Sequence, residues 1–188
     1  MPPGVDPDGL VTFARMQLLL LQRKFPDALA LLKQSPQDVF HFKPRELFDG
    51  AIYIFLNDKE RAHSAFERAR PIAEKALRES PNDASRHVTL GVILAGLGKK
   101  DAAIAEGKRA MELLPESQDA FDGPKMTVAL AQIYAWTGER DQALQLLDRS
   151  LSTPNGVTVP FLRLDPMWDP LRSDPRFQAL IDRYEAKV

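Results

Sequence analysis

Few residues in this sequence have the type and spacing needed for chemistry, and His63 is the first to consider. Glu60 and Glu67 lie at helical spacing from it, which is the nearest approach to a metal-binding cluster in the chain. The alternative is an exposed histidine among helix-surface acids, which we favour because such neighbours commonly pair along a helix. Cys is absent, which excludes disulfides, zinc–cysteine sites, iron–sulfur clusters and thiol catalysis.

Three aspartates near the C-terminus form a second candidate group. Asp165, Asp169 and Asp174 each precede a proline. Neighbouring carboxylates can act as an acid–base pair or hold a cation, whereas Asp before Pro commonly caps a turn, and we expect turns here. The sequence contains no H-E-x-x-H, G-x-S-x-G, Walker or G-x-G-x-x-G motif. We therefore expect no enzymatic activity, no metal site and no cofactor.

The remaining candidates are aromatic, basic and imidazole side chains. Trp136 and Trp168 could stack on a ligand, but core or cap packing is the commoner use of tryptophan. Arg172 and Arg176 could bind an acidic partner, and we expect them instead to pair with acids of the last helical hairpin. His87 is expected to pack as a partly buried side chain.

Composition and charge restrict the class of protein. The chain has 188 residues, 44% of them hydrophobic and 27% charged, as in ordinary globular proteins. Lys and Arg number 25 against 26 Asp and Glu, so we expect no nucleic-acid partner. The longest apolar stretch, 88–98, is too short to cross a bilayer, and the N-terminus lacks a signal-peptide pattern. We expect a soluble chain without membrane insertion; the cytoplasm is favoured, and an upstream membrane segment would place it outside.

A repeated pattern of helical segments dominates the sequence. Four alanines, spaced 34, 41 and 40 residues apart, each lie early in the second of two helical patterns joined by a short polar turn. Mostly small residues lie twelve positions earlier, which lets paired helices approach closely, so Gly91 should face Ala103. The pattern predicts four antiparallel helix pairs with no sheet. The anchor alanines are Ala28, Ala62, Ala103 and Ala143.

The turns agree with this register. Five residues before each anchor lies a residue that we expect to end the first helix, because Gly and Asn tolerate the left-handed conformation found there. Pro71 interrupts the second helix of the second pair and predicts a kink or break near 69–71. The expected turn residues are Arg23, Asn57, Gly98 and Gly138.

These residues resemble the tetratricopeptide repeat (TPR) family. Repeat three matches the family's pattern at Leu90, Gly91, Ala103, Ala110 and Pro115. Repeat two matches at Gly50, Tyr53, Ala62, Phe66 and Ala69, and repeat four at Leu130, Tyr134 and Ala143. The resemblance implies an all-α superhelix of four helix–turn–helix repeats with a C-terminal capping helix. The array covers residues 1–157, with repeats at about 9–36, 43–81, 84–115 and 124–155.

The chain departs from the family pattern at two positions. His87 stands where the family prefers Trp, and Gly107 replaces an aromatic residue of the second helix. Both departures predict looser packing within the same fold.

The last part of the chain, 158–188, has a different pattern. It contains no helical period before Pro175, and then predicts a helix with Phe177, Leu180, Ile181 and Tyr184 on one face. Repeat arrays need an atypical terminal element, so we expect this segment to be a cap. It also resembles the end of TPR regions in bacterial modular signalling proteins that carry a protein kinase, a nucleotide cyclase or a winged-helix regulator. That resemblance implies a module of a larger protein.

The family register predicts a mostly apolar concave groove lined by the first helices of the repeats. It would hold a protein or peptide segment with an apolar face, or the chain's own C-terminal tail. A non-catalytic interaction scaffold is therefore the first hypothesis. Self-association into a homodimer is the second, because the run from Met16 to Gln22 is apolar nearly all round its helix. A small-molecule-sensing or hydrolytic domain is the third. The predicted groove residues are Phe13, Gln17, Leu20, Leu47, Ala51, Ile54, Val88, Val92, Ala95, Val128, Gln132 and Ala135.

Overall fold

The computed structural model describes residues 6, 9–35, 39–40 and 43–186, and this part of the chain is mainly helical. The predicted all-α class is confirmed. The helices are α1 (Leu10–Leu21), α2 (Phe25–Gln34), α3 (Arg45–Phe55), α4 (Lys59–Glu79), α5 (Ala84–Gly96), α6 (Lys100–Leu113), α7 (Gly123–Trp136), α8 (Arg140–Leu151), α9 (Val159–Leu164), a 3₁₀ helix (Pro166–Leu171) and α10 (Pro175–Glu185).

A two-stranded ribbon lies between α2 and α3, where we expected no sheet. Strands β1 (Val39–Phe40) and β2 (Lys43–Pro44) pair antiparallel, with Val39 opposite Pro44 and Phe40 opposite Lys43. A β-branched and an aromatic residue favour extended backbone at β1, and the fixed φ of Pro44 suits it at β2. The ribbon is two residues long and leaves the helical class unchanged.

The chain forms two compact units, Met1–Glu74 and Lys75–Val188, and the division falls within α4. In the first unit α1 packs on α2, and α2 packs on α3. In the second unit α5 pairs with α6 and α7 with α8, while α7 also packs on α5 and α6. Helices α1 to α8 thus occur in four consecutive pairs, each joined by a three-residue turn.

All four turns have the predicted left-handed residue. Its N–H donates to a carbonyl three residues earlier, and the next N–H donates to a carbonyl five residues earlier. These two bonds form the Schellman arrangement, which satisfies carbonyls at a helix end. The left-handed residues are Arg23, Asn57, Gly98 and Gly138, with φ angles of 58°, 58°, 72° and 84°.

The anchor alanines are buried at the start of each second helix. Ala103 contacts α5: a methyl group built on Gly91 would lie 3.2 Å from the Ala103 carbonyl oxygen. This confirms the predicted contact between Gly91 and Ala103. In the first unit the equivalent glycine, Gly50, lies against the ring of Phe66, with 2.8 Å from a built methyl group to Cε1. Small residues therefore permit close approach in both pairs.

The space beside Gly107, where looser packing was predicted, contains side chains of α7. A methyl group built there would lie 2.8 Å from Leu130 Cδ1 and 2.9 Å from Ile133 Cδ1. Two side chains of α7 therefore occupy the space beside Gly107.

Of the predicted kink or break near 69–71, the break is wrong, because α4 runs from Lys59 to Glu79 without interruption; the kink stays a prediction. Pro71 is exposed, whereas Ala69 and Ala73 are buried on the other side of the helix. Packing of that small-residue face offsets the hydrogen bond that a proline removes.

The region before Pro175 is also more helical than predicted, since α9 and the 3₁₀ helix precede α10. The 3₁₀ helix and α10 each begin at an Asp–Pro pair. The Asp165 carboxylate accepts from Met167 N at 2.9 Å, and the Asp174 carboxylate accepts from Arg176 N at 3.0 Å. Proline suits the first helical position because its missing N–H would be unpaired there. The turn interpretation of these two aspartates is confirmed, as helix caps.

Candidate functional site

In the first unit, the predicted groove positions lie on α1 and α3. Phe13 of α1 meets Phe48 of α3 with ring centroids 5.7 Å apart in an edge-on arrangement, so the two helices are in contact at these side chains. Leu20 and Leu47 are buried, so they support the surface more than they form it. The positions left half-buried are Phe13, Gln17, Ala51 and Ile54.

In the second unit, the predicted groove positions are more closed. Val88, Val92 and Ala95 of α5 and Ala135 of α7 are buried, although an open apolar face was expected. Because α5 packs on both α6 and α7, a position on its inner side loses exposure to its neighbours. The positions left half-buried are Val128 and Gln132.

The terminal segment, residues 159–185, packs on the last helix pair. Trp168 is fully buried in the same cluster as Ala135, and Val128 packs against that cluster. Trp136 Nε1 donates to the carbonyl of Met167 at 3.0 Å, and the Tyr184 hydroxyl donates to that of Asp148 at 3.0 Å. Both tryptophans therefore pack, as predicted. The segment buries its own apolar residues against α7 and α8: Leu162, Trp168, Leu171, Phe177, Leu180 and Ile181.

An ion-pair cluster fixes the start of α10. Arg176 contacts the Asp174 carboxylate at 2.7 Å and the Asp141 carboxylate of α8 at 2.7 Å. The Arg176 guanidinium and backbone N–H together lower the pKa of Asp174 to about 2. The predicted pairing of Arg176 with the last hairpin is confirmed. Arg172 instead pairs with Asp169, at 2.6 Å, because both lie one turn apart at the 3₁₀ helix.

The imidazole of His87 is buried and bridges two elements. Its Nδ1 lies 2.5 Å from Glu106 Oε2 of α6, and its Nε2 lies 2.9 Å from the carbonyl oxygen of Pro81. Both partners are acceptors, so both contacts are hydrogen bonds when both ring nitrogens carry protons. His87 thus forms a polar link between α5 and α6. His63 and Glu60 are exposed, as expected for a histidine among helix-surface acids.

Two titratable groups near the start of α3 are shifted toward their neutral forms. Burial raises the pKa of Asp49, opposed by the charge of Arg45, and burial lowers the pKa of Lys43. Glu46 Oε2 is buried without a hydrogen-bond partner among the described residues. Elsewhere in the described residues, no three His, Asp or Glu side chains converge as metal ligands would.

Sequence reasoning identified α1 as an apolar helix but did not identify which of its apolar residues are exposed. Leu18 lies ten residues before its anchor, Ala28, and is exposed. The residues ten before the other anchors are Ile52, Ile93 and Ile133, and all three are fully buried. The repeat register alone could have singled out this position.

No described helix combines the length and the apolar composition that crossing a membrane requires. No model of a known protein family matches the chain, and comparison with curated proteins gives no match.

Proposed function

We propose that this chain is a non-catalytic protein-interaction module of the tetratricopeptide type, belonging to a larger bacterial signalling protein. The observation that carries the proposal is the fourfold use of one hairpin design, with the same two hydrogen bonds and a left-handed residue at each turn. Stacked hairpins of this kind present extended surfaces, and such arrays act by binding other proteins.

The binding surface in this proposal lies on the first unit. Phe13, Gln17, Ala51 and Ile54 are half-buried side chains on the adjacent helices α1 and α3. Three of the four are apolar, so the partner we infer is a segment with an apolar face. Binding by apolar burial should weaken little as salt rises, because few charged side chains take part.

The chain's own terminal segment takes the corresponding place on α7. Its residues Trp168 and Leu171 share a buried cluster with Ala135, and Met167 accepts the hydrogen bond of Trp136. This contact supports an intramolecular occupant at that end of the predicted groove. An external partner would then engage α1 and α3.

The test compares two alanine-to-glutamate variants of the full chain. Ala51→Glu places a charge among the half-buried positions of α3, whereas Ala30→Glu places the same charge at an exposed position of α2. Circular dichroism checks that both variants keep their helix content. Proteins retained from source-cell extract by the unchanged chain and each variant are then quantified.

We expect a set of proteins that the unchanged chain and Ala30→Glu retain and Ala51→Glu loses. Titration of each purified protein should give at least tenfold weaker binding to Ala51→Glu than to Ala30→Glu. Identical retention by all three chains would overturn the proposed surface, and absence of any retained protein would overturn the proposed function.

A further inference from the structure

One face of α1 is apolar and exposed. Leu10, Val11 and Leu18 keep 59%, 43% and 55% of their surface exposed. Ala14 lies one turn from both leucines and is exposed as well. Contiguous apolar surface of this kind usually marks a site of interaction.

The repeat register shows what the equivalent face does elsewhere in the chain. Ile133 of α7 occupies the same register position as Leu18 and is fully buried. Its Cδ1 would lie 2.8 Å from a methyl group built on Gly91 of α5 and 2.9 Å from one built on Gly107 of α6. This position therefore inserts between the two helices of the preceding hairpin, where glycines leave room for it.

A second register position agrees. Val11 corresponds to Met126 near the start of α7, and Met126 is buried. Val11 and Leu18 of α1 are thus exposed at register positions that are buried in α7, which packs on α5 and α6.

A second copy of this chain offers no matching surface through its last hairpin. The cluster that includes Tyr134, Ala143 and Leu147 of α7 and α8 is completed by Trp168 and Phe177 of the terminal segment. Head-to-tail stacking of copies would require that segment to leave.

We propose that this face of α1 docks one further helical hairpin of the same repeat type, joined to the N-terminal side of α1 in the same polypeptide. The hairpin would carry small residues at the two positions equivalent to Gly91 and Gly107, so that Leu18 inserts as Ile133 does. This inference rests on the repeat architecture of the proposed function and names the neighbour of its first hairpin.

The test adds such a hairpin to the chain. Residues 84–122, which contain α5, α6 and the linker to α7, are copied ahead of residue 8 in place of residues 1–7. This junction keeps Leu18 as far along the chain from the added hairpin as Ile133 is from the original. The natural chain contains no Cys, so Leu18→Cys introduces a single thiol whose labelling rate reports exposure.

We expect the thiol introduced by Leu18→Cys to label at least tenfold more slowly in the extended chain than in the original chain. The matched control is Leu56→Cys at the end of α3, where Leu56 is 39% exposed. Its labelling rate should be the same in both chains. Circular dichroism should show the added helix, because the exposed face of α1 stabilises a hairpin that docks on it.

Equal labelling of Leu18→Cys in the two chains, or failure of the added hairpin to become helical, would overturn the proposal. A dimer of the original chain that Leu18→Lys converts to monomer would also overturn it, with a second copy as the occupant. These outcomes are separate from those of the capture experiment. If the added hairpin fails to dock while Ala51→Glu still loses its partners, only this proposal is overturned. If the hairpin docks while no protein is retained in the capture experiment, only the proposed function is overturned.

Discussion

The first and last hairpins of this chain follow the same design but differ in what covers them. The α7–α8 pair is sealed by the terminal segment, in which Trp168 and Leu171 are fully buried. The α1–α2 pair leaves Leu10 and Leu18 more than half exposed. A helical hairpin cannot bury both of its faces by itself, so every hairpin in an array needs a neighbour or a cap.

The first and last hairpins also differ in the polar contacts that stabilise the two ends of the chain. The terminal segment combines apolar burial with the contacts of Arg176 to Asp174 and Asp141. The start of α1 is held by the Asp6 carboxylate, which accepts from Val11 N at 2.9 Å and Thr12 N at 2.8 Å. The first arrangement covers a helix face, whereas the second only satisfies a helix end.

Removing the cover of the last hairpin should have the largest effect. Trp168→Ala deletes a fully buried indole from the terminal cluster, and we expect it to lower the free energy of unfolding by about 3–5 kcal/mol. Phe161→Ala, at a side chain that is 52% exposed in α9, should change it by less than about 0.5 kcal/mol. Urea denaturation followed by circular dichroism measures both; equal losses would show that the terminal segment does not act as a cap.

Alanine substitutions at equivalent register positions of α7 and α1 should lower the free energy of unfolding by different amounts. Ile133→Ala should cost about 2–5 kcal/mol because it leaves a cavity between α5 and α6. Leu18→Ala should cost less than about 0.5 kcal/mol because Leu18 is 55% exposed. The comparison uses denaturant midpoints at equal slope, and a large loss from Leu18→Ala would mean that α1 is covered in solution.

The hairpins could be predicted from sequence because their signals are local. Contacts within one repeat constrain three positions. These are the left-handed turn residue, the alanine five positions after it, and the mostly small residue twelve positions before that alanine. Arg23 was located by this spacing alone, although its residue type does not favour the left-handed conformation. The 3₁₀ helix and α9 were missed because helices of six residues are too short for a period to show.

The groove was less predictable because exposure depends on neighbours rather than on register. Val92 and Phe13 were both assigned to the groove, yet Val92 is buried and Phe13 is half-buried. Neighbouring helices also determine the space beside Gly107, because Leu130 and Ile133 of the next pair occupy it. A sequence pattern indicates which side of a helix a residue occupies, and packing decides whether that side stays open.

Acid should weaken the attachment of α10 through Asp174. Its folded-state pKa of about 2 lies below the ordinary value of 3.8, so the ionised form stabilises the fold above about pH 4. That contribution is lost as pH falls from about 4 through 2. Asp174→Asn should therefore lower the Tm at pH 6, and the difference from the unchanged chain should be much smaller at pH 2, where the folded-state carboxylate is half protonated. An equal difference at both pH values would argue against the charged contact.

The smallest effect concerns the turn residues, which differ between the two end hairpins. The turn of the first hairpin has Arg23 at φ 58°, and that of the last has Gly138 at φ 84°. A methyl group at Gly138 would meet no atom within 4 Å, so Gly138→Ala tests the backbone conformation alone. The left-handed conformation costs a residue with Cβ roughly 1–2 kcal/mol, and part of this is offset because alanine restricts the unfolded chain. We expect a net loss of about 1 kcal/mol, with a smaller loss for Gly138→Asn because asparagine tolerates this region. Thermal unfolding of the two variants checks the order, and a loss larger for Asn than for Ala would show that the turn is held by something other than its left-handed residue.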